Sequence, residues 1–155
     1  MNKYNQNLLS LYVHWPYCES KCPYCDFNSH VNEKIEVNDW IKSYKNQLLA
    51  MKEELIENNI NFRHLDTIFF GGGTPSLMPL KIVESIIDIS KKIFGFKKDI
   101  EITLEANPSS YESKKFIKFK QIGINRISIG AQSLNDKYLK FLGRLHNIKD
   151  VKTAL

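Results

Sequence analysis

The sequence predicts an α/β fold: a barrel-like sheet of about four parallel strands with helices between them. Strand-like and helix-like segments alternate at roughly 30–40 residues per unit, the spacing of parallel strands joined by right-handed crossovers. No Gly-x-Gly-x-x-Gly turn follows the first strand, which argues against a dinucleotide-binding sheet. Four short motifs each fall where a strand ends: the three cysteines, GGGTP, EANP and GAQS. Chemistry in barrel-like sheets collects at the carboxyl ends of the strands, so motifs far apart in sequence meet on one rim.

Leu8–His14 alternates apolar and polar residues and reads as the first strand, leading into the cysteine loop. Asn38 is placed to cap a long helix running to about Asn58. Its apolar positions, Val37, Ile41, Tyr44, Leu48, Met51 and Leu55, step by four and three, and Trp40, Leu49 and Ile56 widen the stripe into a core-facing surface. Thr67–Phe70 is a short apolar second strand running straight into the glycines. A second helix covers about Leu80–Phe94, with Ile82, Ile86, Ile89 and Ile93 on one face. Glu101–Glu105 forms the third strand, stopped by Asn107-Pro108. A third helix spans about Tyr111–Ile122 and ends at Gly123. Arg126–Gly130 is the fourth strand. A helical turn over about Asp136–Phe141 and a further helix from near Ile148 complete the series.

Composition narrows the class. The 155 residues are 43% hydrophobic, enough for one domain with a real core and too apolar for disorder. No apolar run approaches the roughly 20 residues that span a bilayer. The opening MNKYNQNLLSLYVHW is no secretion signal, and an odd number of clustered cysteines does not make a disulfide framework, so the expected location is the cytoplasm. The net charge of +5 is spread along the chain without an arginine cluster, a pattern of solvated helix faces rather than of a nucleic-acid surface.

The chemistry concentrates in Leu11–His30, which holds all three cysteines, Cys18, Cys22 and Cys25, as Cys-x3-Cys-x2-Cys, with Pro16 and Pro23 stiffening the turns. Thiolates hold a [4Fe–4S] cluster, usually four of them. Three leave one iron open to a small molecule. The same spacing also suits a zinc site with His14 or His30 as the fourth ligand, or a redox pair of Cys22 and Cys25. In GGGTP, glycines let the chain approach a ligand closely, with amides free for a carboxylate and carbonyls for an ammonium group; a tight strand-to-helix turn is the plainer reading. Glu105 can accept hydrogen bonds from hydroxyls or an ammonium group, or serve a loop salt bridge. Gln132 carries a donor and an acceptor for a polar cofactor, or closes its own loop. Arg144 can fork onto a carboxylate, or lie solvated. Tyr12 and Tyr24 flank the cysteines and also suit plain packing.

The run YVHWPYCESKCPYCDFNSH resembles the cluster loop of the radical S-adenosylmethionine (SAM) superfamily. Its flanking words resemble the branch of oxygen-independent coproporphyrinogen III oxidases and HemW haem chaperones, with CPYCDFNSH closer to the chaperones. The oxidases resemble a chain with a long arm before the cysteines, whereas 17 residues precede Cys18. The resemblance implies a partial (β/α)6 barrel of the radical SAM type, of which residues 1–155 form an incomplete core, with later barrel units and a C-terminal domain beyond it. It implies a [4Fe–4S] cluster on Cys18, Cys22 and Cys25, completed by SAM. Gly72, Gly73 and Thr74 would lie near the methionine end of SAM, Tyr24 near its adenine, and Tyr12, Glu105, Gln132 and Arg144 among its contacts. It further implies haem binding, a haem-acceptor protein and an electron donor for the cluster. The alternatives are the oxidase reaction, in which a propionate side chain loses carbon dioxide to leave a vinyl group, and a zinc-binding interaction module.

Overall fold

The computed structural model describes residues 8–31, 34–62, 64–109 and 115–155. The elements follow in order: β1 (Leu8–Trp15), β2 (Tyr17–Cys18), β3 (His30–Val31), α1 (Val37–Glu57), β4 (His64–Gly72), a 3-10 turn (Pro75–Leu77), α2 (Leu80–Phe94), β5 (Phe96–Ala106), α3 (Phe116–Gln121), β6 (Arg126–Ile129), α4 (Asp136–Phe141) and α5 (Ile148–Ala154). Strands β1, β4, β5 and β6 form one sheet in that order, all parallel, and β2 pairs with β3 in a separate small ribbon. Sequential order matters. Each connection moves one strand in the same direction, and α1 and α2 pack together on one face of the sheet, the order expected of a barrel wall.

The core lies between that helical layer and one face of the sheet. Leu11, Val13 and Trp15 of β1, Ile68 and Phe70 of β4, and Ile102 and Leu104 of β5 pack with Leu48 of α1 and Ile82, Val83, Ile86 and Ile87 of α2. The alternation that buries these residues turns their neighbours to the opposite face. Tyr12, Phe69, Thr103 and Arg126 are in register across all four strands there, and Glu105 stands opposite Ser128 one row higher. Glu101 and Thr103 both accept hydrogen bonds from Nη1 of Arg126, at 3.2 and 3.3 Å, so this face is largely polar.

The bounds of α2 and α4 match the sequence expectation. Helix α1 begins differently: Glu36 stands at its N-cap without a side-chain cap, and Asn38 lies inside the helix. Burial sets the start, because Val37, Trp40 and Ile41 all pack on the core, and Trp40 lies 5.1 Å from Trp15, centroid to centroid. Of the expected stripe, Leu48 is buried, whereas Leu49, Met51 and Ile56 are exposed. Tyr44 donates a 2.7 Å hydrogen bond to the carbonyl of His14, tying α1 to the end of β1; burial raises its hydroxyl pKa. The expected start of the third helix at Tyr111 lies outside the described residues. Its end is as expected: Gly123, at φ +108°, closes α3 with amides of Gly123 and Ile124 bonded back to Lys120 and Phe119.

Candidate metal centre and cofactor cleft

The carboxyl ends of the sheet strands open into a cleft of about 330 Å³. The cysteine loop forms one wall. The β2–β3 ribbon closes its base, with the amide of His30 donating to the carbonyl of Pro16 at 2.7 Å. Within it, Cys22-Pro23-Tyr24-Cys25 is a turn, with Cys25 N–H donating to Cys22 C=O at 3.0 Å and proline at the position whose φ the turn requires. All three thiols are free and half-buried, and all three line the cleft.

GGGTP forms the floor. An added Cβ at Gly73 would stand 2.7 Å from the carbonyl oxygen of Tyr17 and 3.1 Å from the sulfur of Cys18. At Gly72, φ is +111° and an added Cβ would stand 2.7 Å from the His14 ring. The structure corrects one expectation here. The amides of this motif are not free for a ligand: Gly73 N–H donates to Trp15 C=O at 2.7 Å and Thr74 N–H to Tyr17 C=O at 2.8 Å. The amide of Gly72 donates to the carboxylate of Glu105. The motif fastens the cysteine loop to the sheet, and Gly72, Gly73, Thr74 and Pro75 line the cleft.

Arg144 enters from the far side. It follows Gly143, which at φ +68° ends α4 with the Gly143 amide bonded to Lys140 and the Arg144 amide to Leu139. An added Cβ at Gly143 would stand 2.7 Å from Pro23, so this turn packs directly on the cysteine loop. The guanidinium then reaches four partners. Nη1 donates to the sulfur of Cys22 and the hydroxyl of Tyr24, both at 3.4 Å, and Nη2 donates to Oδ1 of Asn107 and, at 3.3 Å, to the carbonyl of Gly130. Nε is buried and has no hydrogen-bond partner among the described residues. On the opposite side, the Thr74 hydroxyl donates to the sulfur of Cys18 at 3.4 Å.

Tyr24, Gly72, Gly73, Thr74, Glu105, Gln132 and Arg144 therefore line the same cleft as the three cysteines. Gln132 holds a left-handed φ of +63°, a conformation costing a non-glycine residue roughly 1–3 kcal/mol and often found at functional loops. Tyr12 does not line the cleft. It lies one row below on the open sheet face, stacked on Phe69 at 6.1 Å and over Gly71. Burial raises the Glu105 carboxyl pKa, against the opposing hydrogen bond from Gly72. Burial and the nearby Glu105 charge raise the Tyr12 hydroxyl. Burial raises Tyr24 as well, with Arg144 acting the other way. Sequence reasoning passed over Asn107, Ser128 and His146, which also line the cleft. Asn107 had a signal, as the polar residue between strand end and proline in EANP. His146 had none; it is buried and bonded to the carbonyl of Ala131 at 3.1 Å.

Neither histidine named for the zinc alternative lines the cleft. His14 and His30 both bond to Asn28, at 3.1 and 3.2 Å. Among the described residues, no three His, Cys, Asp or Glu side chains are grouped as a single ion requires.

The radical SAM superfamily profile matches residues 12–155. The heme chaperone HemW of Haemophilus influenzae is 45% identical over 148 residues, covering 95% of this chain and 38% of that protein. HemW of Escherichia coli is 40% identical over 150 residues, covering 94% and 38%. The chain thus spans well under half the length of these curated relatives. The structure of coproporphyrinogen III oxidase (HemN) from Escherichia coli, described as a radical SAM enzyme, superposes with a TM-score of 0.79 at 23% identity, over 96% of this chain and 33% of that one. At that identity the likeness is one of fold.

Proposed function

The chain belongs to the radical SAM superfamily, and from that premise we propose that it acts as a HemW-like haem chaperone. In this reading Cys18, Cys22 and Cys25 hold a [4Fe–4S] cluster, SAM completes the coordination, and haem is bound for transfer to an acceptor protein. One observation carries it: three free thiols share a cleft with the carbonyls of GGGTP, a carboxylate, an amide and a guanidinium. The donor set fits the group. Three free thiols line one cleft, and two of them accept hydrogen bonds, as cluster thiolates do. The identity to two heme chaperones, at 40–45%, favours haem as cargo.

When bound, the cluster offers an open iron to the amino and carboxylate groups of SAM and supplies an electron once reduced. The protein's own residues bind and orient. Arg144, whose Nη1 is held by Cys22 and Tyr24 and whose Nη2 is held by Asn107 and Gly130, would set its positive charge beside the SAM carboxylate. Gly72, Gly73 and Thr74 line the side of the cleft that would accept the N–H groups of the SAM amino group. Glu105, fixed by the Gly72 amide, accepts from ribose hydroxyls. Gln132 and Tyr24 bound the nucleoside side, and Tyr12 supports Gly71 from below. An electron donor for the cluster and an acceptor for the haem complete the scheme. Among the described residues no helix is long and apolar enough to cross a membrane.

The test is anaerobic reconstitution of the full-length protein, followed by titration with SAM, with haem and with coproporphyrinogen. The expected result is about four irons per chain, a cluster spectrum perturbed by SAM, stoichiometric haem binding and no turnover of coproporphyrinogen. Conversion to protoporphyrinogen would replace the chaperone reading with the oxidase; a colourless zinc protein would remove both.

A further inference from the structure

The hydrogen bonds around the cysteines join into one chain that runs from the first sulfur to the second. The Thr74 hydroxyl donates to Cys18 Sγ at 3.4 Å, and the Asn107 amide nitrogen donates to that hydroxyl at 3.4 Å. The Asn107 amide oxygen in turn accepts from Arg144 Nη2, and Arg144 Nη1 donates to Cys22 Sγ at 3.4 Å. Asn107 is thus the hub, with its donor end aimed toward one cysteine and its acceptor end toward the other. Its own position is fixed at the end of β5, just before Pro108, where the chain leaves the sheet.

Resting on the cluster reading above, we infer that Asn107 is a positioning residue which orients both sulfur-directed donors and so sets the reduction potential of the cluster. The physics is direct. A thiolate ligand of a reduced cluster carries more negative charge than that of the oxidised one, so a donor aimed at the sulfur stabilises the reduced state more, and potentials of such centres respond to hydrogen bonds at sulfur. A hydroxyl turns freely about its C–O bond, and acceptance from the Asn107 amide by one of its lone pairs leaves its O–H to point at Cys18. Arginine is long and flexible, and the Asn107 oxygen holds its fork so that Nη1 faces the cysteine loop. Removing the hub releases both donors at once. Asn107 touches neither sulfur, so its effect travels through Thr74 and Arg144.

The experiment is a redox titration of the reconstituted full-length protein, followed by the paramagnetic signal of the reduced cluster. Asn107→Ala should lower the midpoint potential with iron content preserved. Thr74→Val should lower it by less, and Thr74→Ser, which keeps the hydroxyl, should restore it. An unchanged potential in Asn107→Ala, or a Thr74→Ser variant as low as Thr74→Val, overturns the inference. If Asn107→Ala does not retain iron, Asn107→Ser is read in its place, with the same two outcomes. Failure of the wild-type protein to take up iron would instead defeat the cluster reading itself.

Discussion

Gly73→Ala is the sharpest perturbation of the cleft. The backbone φ there is not in the left-handed region, so the substitution is a pure test of space. The new Cβ would stand 2.7 Å from the Tyr17 carbonyl oxygen, 2.9 Å from its carbonyl carbon and 3.1 Å from the Cys18 sulfur. A carbon–oxygen contact without a bond sits at about 3.3 Å or more, so something must yield by about half an ångström. Gly73 cannot easily retreat, since its amide is bonded to Trp15 at 2.7 Å and the next amide to Tyr17 at 2.8 Å. Overpacking of this kind costs about 1–3 kcal/mol. Metal–ligand distances tolerate about 0.2 Å, so the shift exceeds what Cys18 could absorb as the proposed cluster ligand. Gly95→Ala is the matched control. Its φ of +71° strains any side chain, at about 1–3 kcal/mol, yet an added Cβ meets nothing nearer than 4.0 Å. Urea unfolding and iron content after anaerobic reconstitution check both variants. Both should lose similar stability, and Gly73→Ala alone should lose iron. Full iron occupancy in Gly73→Ala, or equal loss in Gly95→Ala, would refute the steric reasoning.

Two further outcomes follow. Cys22→Ala should abolish cluster retention while far-UV circular dichroism keeps most of its helical signal, because Cys22 lies on the loop and outside the core; iron bound at full occupancy would exclude Cys22 from the ligand set. Glu105 has its folded pKa raised, chiefly by burial, so the fold favours its protonated form, and the stability tied to it is present below the ordinary carboxylate value and is lost as pH rises through the folded value. Compared with Glu105→Gln across urea titrations at stepped pH, the cluster-free wild type should therefore lose stability from about pH 4.5 upward; a relative gain over that range would show the carboxylate to be stabilised in its charged form.

Much of this architecture was legible because burial and period agree. Helix α2 carries its apolar residues at helical spacing and ends at a glycine with φ +71°, so both bounds could be read. Strand ends were harder. Strand β4 runs His64–Gly72 rather than Thr67–Phe70, because pairing of Leu8 with His64 and Trp15 with Gly72 extends it into residues with little strand preference of their own. Strand β5 likewise begins at Phe96, paired with Leu65 ahead of an irregularity in the ladder, although Lys97, Lys98 and Asp99 are exposed and charged. Motifs at the strand ends, together with the family resemblance, named the candidate residues, and ten of the eleven share one cleft. Tyr12 misses it because it stands three residues before the end of β1, in register with Phe69 and stacked on it below the rim.

What the sequence could not display is which hydrogen bonds the rim has already committed. A run of glycines followed by Thr-Pro looks like a row of vacant amides, and the vacancy disappears once the partner strand is in place. That changes what the motif does. Its amides hold Trp15 and Tyr17, its missing side chains make room for that backbone and for the Cys18 sulfur, and its remaining amide orients Glu105. The loop carrying the thiols and the floor on which a ligand would rest are therefore one rigid piece. A substitution in the glycines moves the sulfur ligands before it removes any ligand contact, so loss of SAM binding in such a variant is interpretable only alongside its iron content. Arg144 joins the opposite wall to the same piece, through Pro23 packed on Gly143 and through Cys22 itself. The cleft is thus assembled from three parts of the chain that brace one another at the sulfur atoms, which is where a group bound by those sulfurs would have to be held still.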